Sequence, residues 1–212
     1  MHLFLLIVAA YMLGSIPTAF WIGKFFFGID IREHGSKNMG ASNTFRVLGP
    51  WFGLFVLLVD MSKAILAVLL ANKISASDFL GKEFMLWQLV FGLTAVAGHI
   101  FPVFAGFKGG KGVACLFGVV IAIQPLMAII CVGVFLIVVL LTRFISLGSL
   151  TAAGVFAICF LFAVKEENDY MRWFSIVAAI LIIILHRRNI SRLLKGTETK
   201  INFNRKKKSD DL

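Results

Sequence analysis

The sequence predicts an all-α, polytopic membrane protein of about seven transmembrane helices, some of them short. Its N-terminus is expected outside and its C-terminus in the cytoplasm. Three observations carry this. Apolar residues make up 59% of the 212-residue chain, and mean hydropathy is +0.92; soluble domains sit nearer about 45–50% apolar. A soluble core of this length cannot hide so much hydrocarbon, so lipid must solvate much of the chain. The apolar residues also fall into runs of about 20, the length that crosses a bilayer. Finally, 21 Lys and Arg outnumber 11 Asp and Glu for a net charge of +10, and the charges lie mainly between the runs. A basic balance suits nucleic acid or anionic lipid; this spacing points to the membrane, with no nucleic-acid partner.

The runs follow in order. Residues 3–22 form the first. It has no basic leader and no small-residue cleavage site, so it reads as a mature helix rather than a signal peptide. Residues 51–71 form the second, although it contains Asp60 and Lys63. Residues 84–103 form the third. Residues 113–142 are too long for one span and are broken at Gln124 and Pro125. Proline lacks a backbone donor and clashes with the preceding turn, so this stretch reads as a hairpin of two shorter helices. Residues 144–164 form another span. Residues 173–185 form the last, which is short for a full crossing.

Charge distribution supports the hairpin through the positive-inside rule. With residues 24–46 inside, 73–83 fall outside and 108–111 inside. A hairpin then puts Arg143 inside, 165–172 outside with Glu166, Glu167 and Asp169, and the basic tail from Arg187 inside. Without it, that tail falls outside. The chain divides into a single transmembrane domain, 1–198, and a basic cytoplasmic tail, 199–212. The run 205–208 in that tail is solvated or rests on anionic headgroups. No internal repeat is visible. Cys115, Cys131 and Cys159 lie in apolar runs without metal-ligand spacing and read as small core residues.

Three polar stretches fall on the inner side. Residues 34–46 contain Ser36, Asn38, Ser42, Asn43 and Arg46 among glycines and Lys37. Such a segment turns easily and exposes backbone N–H groups, which with cations suit a phosphate. Residues 98–112 contain His99 and the run Lys108, Gly109, Gly110, Lys111, Gly112 before a helix start. Glycines let backbone approach an anion, and a helix N-terminus favours negative charge. The spacing is not that of a Walker A loop, and no strand precedes it. Residues 186–198 place His186, Asn189 and Arg192 at i, i+3 and i+6, near one helix face. Asp60 and Lys63 add an i, i+3 pair inside a span, where ionisable groups are costly and are functional candidates. Ser146 and Ser149 open a helix on the same side. A site there is cationic, rich in donors and bordered by lipid, and it suits a substrate with a phosphate at one end.

Several chemistries are missing. There is no His-x-x-x-x-Asp motif, no Gly-x-Ser-x-Gly elbow, no zinc-spaced cluster and no acidic repeat to hold Mg²⁺. The sequence therefore points away from a metal-dependent mechanism, and no cofactor is expected.

Together these residues resemble the bacterial acyl-phosphate-dependent glycerol-3-phosphate acyltransferase family. The resemblance covers nearly the whole chain. It is carried by Gly14-Ser-Ile-Pro17; by Gly35-Ser-x-Asn-x-Gly-Ala-Ser-Asn43 with Arg46; and by Asp60-x-x-Lys63. It continues in Gly98-His-x-Phe-Pro-Val103 with Phe107-Lys-Gly-Gly-Lys-Gly-Val113, and in His186-Arg-x-Asn-Ile-x-Arg-Leu193 with Gly196 and Glu198. Ser42 stands where the family usually has threonine, and Lys37 where a small residue is commoner.

The resemblance implies transfer of a fatty acyl group from acyl phosphate to the sn-1 hydroxyl of glycerol 3-phosphate. Lysophosphatidic acid and inorganic phosphate would result, beginning phospholipid synthesis at the inner face of the bacterial cytoplasmic membrane. A soluble phosphate acyltransferase would supply the acyl phosphate. On this reading Arg46, Lys108, His186 and Asn189 hold glycerol phosphate, and Ser146 orients its hydroxyl. Ser36, Ser42, Asn43 and the backbone of Gly109, Gly110, Lys111 and Gly112 cradle acyl phosphate. Asn38, Lys63 and His99 join the phosphate-binding set. Either the departing phosphate or His186 takes the hydroxyl proton. An anion or lipid-phosphate transporter is the alternative, since intramembrane charge and a broken helix suit it too. The one-sided clustering and the lack of an inverted repeat speak against it.

Overall fold

The structure is a computed structural model that describes residues 2–74, 83–164 and 169–201. Every regular element among them is helical: α1 His2–Gly14, α2 Thr18–Phe27, α3 Ala41–Val47, α4 Pro50–Leu69, α5 Glu83–Ile100, α6 Val113–Ile123, α7 Pro125–Thr142, α8 Ile145–Ile158, α9 Tyr170–Leu185 and α10 Arg187–Leu194. Among the described residues, four helical stretches are long and apolar enough to cross a bilayer: Pro50–Lys73, Phe84–Ala105, Pro125–Thr142 and Ile145–Ala163. The count rises to six if each of two bent pairs is one span. The eleven residues of α6 cover only about 16 Å at 1.5 Å each, about half the hydrocarbon thickness. Residues 165–168 of the run 165–172, most of 73–83 and the basic run 205–208 lie outside the described residues.

The first run departs from the expected unbroken helix. It divides into α1 and α2, bent by 44°. The cause is Pro17, which offers no N–H and drives Ile16 out of the helical region. The broken turn frees the Ile16 carbonyl, and Lys63 Nζ donates to it at 2.9 Å. The last run bends too: α9 and α10 meet at 63°, with His186 at the corner.

The break at Gln124 and Pro125 does separate two helices. Lys111, just before α6, donates to Asn189 Oδ1. Ser146, just after α7, donates to Glu198, which also accepts from Asn189. A chain that leaves this spot at residue 111 and regains it at 146 has reversed direction. The hairpin expectation holds for this stretch.

Small residues let the helices approach closely, as packing in lipid favours. A Cβ on Gly14 would strike the backbone of Ala95 on α5, and one on Gly118 would strike the backbone of Met61 on α4. The main core joins Val68, Val96, Val119, Phe156, Phe160 and Phe174 from α4, α5, α6, α8, α9 and the π-helical turn Cys159–Ala163. Outward residues such as Leu126, Ile129, Leu140 and Leu141 on α7 stay exposed, as lipid-facing positions do. The helix ends carrying the three polar stretches emerge on one side of this bundle.

Candidate active site

The first stretch is a loop folded onto α3, and Asn43 is its staple. Asn43 is buried. Its Oδ1 accepts from Ser36 N at 2.7 Å and Ser36 Oγ at 3.1 Å. Its Nδ2 donates to the carbonyls of Ile31 and His34, both at 3.0 Å. Gly35 has φ 61°, and a Cβ there would strike Asn43 Oδ1, so only glycine fits. Ser36 is thereby fixed, and Arg46 is projected one turn further along α3. Asn38 and Ser42 lie partly buried on the same loop and helix start. The expectation that Asn43 meets a substrate phosphate changes here, because its amide is spent on the loop.

The second stretch closes over the end of α5. Gly109 N donates to Ile100 O and Gly110 N to His99 O, each at 3.1 Å. These two amides satisfy helix carbonyls that would otherwise be orphaned. The expected anion cradle therefore loses two of its donors, Gly109 and Gly110. Gly112 takes φ 73° and leads into α6. Lys108 and Lys111 part company. Lys108 is exposed and lines an open pocket with Asp30, Arg32, Glu33, Lys37 and Gly109. Lys111 turns inward to Asn189.

The third stretch converges on Glu198, whose side chain is 1% exposed. Its Oε1 accepts from Ser146 Oγ at 2.9 Å and Asn189 Nδ2 at 2.7 Å, and its Oε2 accepts from Arg192 Nε at 2.7 Å. Burial pushes this carboxyl up, but the donors from Arg192, Asn189 and Ser146 outweigh it and hold it below the usual range. Arg46 Nη2 reaches Thr199 O at 3.2 Å. Among the described residues, Arg46 Nε is buried without a hydrogen-bond partner. Burial lowers Lys111 to about 8, Glu198 opposes this, and Arg192 and Arg46 add to it. His186 Nδ1 lies 2.9 Å from Ile182 O, so that nitrogen carries the proton and Nε2 is left as an acceptor. Burial first, then Lys111, presses His186 down to about 4; the ring is neutral at neutral pH.

Of the residues singled out in the sequence, Arg46, Lys111, Ser146, His186 and Asn189 share one electrostatic neighbourhood. Lys108 sits in the pocket lined by Lys37. Lys63 and His99 do not join either group; they pair with Asp60 inside the bundle. Sequence reasoning left Glu198 out of the site, although it was the lone acid in a basic segment. Its neighbour Gly196, in the left-handed region at φ 67°, was the available signal that the chain turns back there.

The family model described as glycerol-3-phosphate acyltransferase matches residues 4–196. A glycerol-3-phosphate acyltransferase of Fusobacterium nucleatum is 40% identical over 205 residues, covering 96% of this chain and 100% of that protein. One from Streptococcus mutans is 43% identical over 209 residues, covering 96% and 95%. The fold is similar to the crystal structure of PlsY, an integral membrane glycerol 3-phosphate acyltransferase, in its glycerol 3-phosphate form. The TM-score is 0.81 at 38% identity, with 94% of this chain and 96% of that chain covered. The lysophosphatidic acid form of the same protein gives 0.78 at 37% identity, covering 94% and 95%. Matched along nearly its whole length by a family model and by bacterial relatives, the chain belongs to the glycerol-3-phosphate acyltransferase family.

Proposed function

We propose that the chain transfers a fatty acyl group from acyl phosphate to the sn-1 hydroxyl of glycerol 3-phosphate, releasing inorganic phosphate. One observation carries this reading: Arg46, Lys111, Ser146, His186 and Asn189 come from four separate parts of the chain to one end of the bundle. There the cations Arg46, Lys111 and Arg192 face a single carboxylate, Glu198. That imbalance suits a phosphate dianion. Arg46, Lys108, His186 and Asn189 hold the glycerol phosphate. Ser36, Ser42 and the backbone at Lys111 and Gly112 face the acyl phosphate. Ser146 orients the attacking hydroxyl. Asn38 joins the phosphate-binding set, and Asn43 keeps the loop in shape.

An acyl phosphate is a mixed anhydride with a good leaving group. Positioning and charge stabilisation therefore supply much of the rate, and no strong nucleophile is required. The hydroxyl oxygen forms the new ester bond, the acyl–phosphate bond breaks, and the hydroxyl proton leaves with the phosphate. His186, pressed down to about 4, is a weak base, whereas the departing phosphate gains basicity as its acyl bond breaks. That comparison favours the departing phosphate as proton acceptor. We place the site on the cytoplasmic side of the bacterial inner membrane, with seven crossings, the N-terminus outside and the C-terminus inside. A soluble phosphate acyltransferase supplies the donor.

The test uses purified protein in detergent with acyl phosphate and glycerol 3-phosphate, without coenzyme A or metal. Phosphate and lysophosphatidic acid should appear in equal amounts. Turnover only with another acyl donor would remove the donor assignment. Loss of turnover to background in His186→Asn, at saturating substrate, would restore His186 as the base.

A further inference from the structure

The Asp60, Lys63 and His99 group lies away from the cluster around Glu198, yet all three are almost fully enclosed, at 2%, 3% and 5% exposed. Lys63 Nζ sits 2.8 Å from Asp60 Oδ1, and His99 Nδ1 faces the same oxygen at 3.5 Å. Desolvating such charges costs several kcal/mol per ion, and apolar residues of similar volume are often no worse. Stability alone is therefore a weak reason for the group to be there.

Its connections run towards the phosphate-binding loop. Asp60 fixes which His99 nitrogen faces α4, so His99 Nε2 points the other way, against Gly110. A Cβ on Gly110 would strike that nitrogen. The His99 carbonyl meanwhile takes the Gly110 amide, and the next carbonyl takes Gly109. The ring and the backbone of one residue thus grip the middle of the loop whose two ends are Lys108 and Lys111. Lys63 holds Asp60 in place and ties the group to the Ile16 carbonyl at the broken first span.

We propose that Asp60 is a positioning residue for substrate phosphate: through His99 it sets the height of Gly109 and Gly110, and so the separation and aim of Lys108 and Lys111. This rests on the assignment of Lys108 to the phosphate of glycerol 3-phosphate.

The test measures glycerol 3-phosphate binding by calorimetry, steady-state kinetics and thermal melting on the full chain in detergent. The first variant is Asp60→Leu with Lys63→Met, which removes the carboxylate and the ammonium together at similar volume. The expected result is a melting temperature within a few degrees of the parent and a KM and Kd for glycerol 3-phosphate raised about tenfold. The kcat should fall no more than about threefold. A parental KM and Kd in the folded double variant would overturn the proposal. Should that variant not fold, His99→Gln keeps the Asp60–Lys63 pair intact and is expected to show the same rise; a parental KM there overturns it equally. Lys108→Ala separates the two ideas. If it leaves the Kd unchanged, the phosphate assignment of the loop fails. If it weakens binding while neither positioning variant does, only the proposal about Asp60 fails.

Discussion

Two buried polar clusters among the described residues are built on opposite rules. Around Asp60 the groups satisfy one another: the carboxylate takes the Lys63 ammonium and the His99 ring, and the spare lysine donor finds the Ile16 carbonyl. Around Glu198 they do not: Arg46, Lys111 and Arg192 face one carboxylate, and among the described residues Arg46 Nε is buried without a hydrogen-bond partner. A self-satisfied cluster in a low-dielectric interior needs nothing further, whereas partly buried cations that outnumber their carboxylate suit an anion that joins them. Both kinds of site attract notice in a membrane sequence, since any ionisable group there is a candidate. Only the balance of partners separates scaffold from binding site, and that balance is set by residues far apart in the chain.

The largest effect follows from breaking the balanced cluster unevenly. Asp60→Leu alone leaves Lys63 buried without its counter-charge and should cost about 4 kcal/mol of stability, in line with the loss of one partner of a buried pair. Detergent melting should show it as a sharply lowered midpoint. Adding Lys63→Met should recover most of that loss. If the single and the double variant melt alike, the pair is not what burial says it is. The unbalanced cluster should respond in the opposite way. Arg46→Ala removes one of three cations around a single carboxylate, so folding stability should change by less than about 1 kcal/mol, because among the described residues it gives up one hydrogen bond, to the Thr199 carbonyl, and an attraction to Glu198 that Arg192 also supplies. The kcat/KM for glycerol 3-phosphate should fall roughly a hundredfold, equivalent to about 3 kcal/mol of lost charge-assisted binding. A variant that melts early but keeps its kcat/KM would exchange the roles of the two clusters.

Much of this was legible in the sequence because lipid imposes simple rules. The apolar runs, the break at Pro125 and the basic loops located the helices, the hairpin and the polar face. Pro17 was equally visible, yet the run around it reads as one span, because hydropathy averages over a single proline. The grouping of Arg46, Lys111, Ser146, His186 and Asn189 on one side followed from topology alone. What was not legible is how donors are spent. Asn43 and the amides of Gly109 and Gly110 have the composition of a phosphate cradle, but the structure uses them to close loops and cap a helix. Lys63 and His99 were read as ligands for phosphate and instead meet Asp60. Hydrogen-bond partners more than a turn away leave no periodic trace, so the pattern that marks a binding loop and the one that marks a self-satisfied loop are the same.

The pH response offers the finest discrimination between the clusters. In the unbalanced one, burial and the neighbouring arginines bring Lys111 down to about 8. The ammonium is the form that attracts phosphate, and it is complete well below that value and lost as pH rises through it. The kcat/KM for glycerol 3-phosphate reports the free enzyme and the free substrate, so it should rise as the second phosphate proton leaves near about pH 6 and be level around pH 7. Above about pH 8 it should decline, by at most tenfold per unit as one proton is lost. The kcat should decline later, because a bound phosphate holds the proton on Lys111. His186, at about 4, adds no inflection near its usual range. Lys111→Arg tests the source of the decline, since a guanidinium keeps its charge throughout. The variant should lose some affinity at every pH, because Asn189 loses a compact donor, but its kcat/KM should no longer bend near 8. A bend that survives the substitution would move the titrating group elsewhere in the site and leave Lys111 as a structural partner of Asn189.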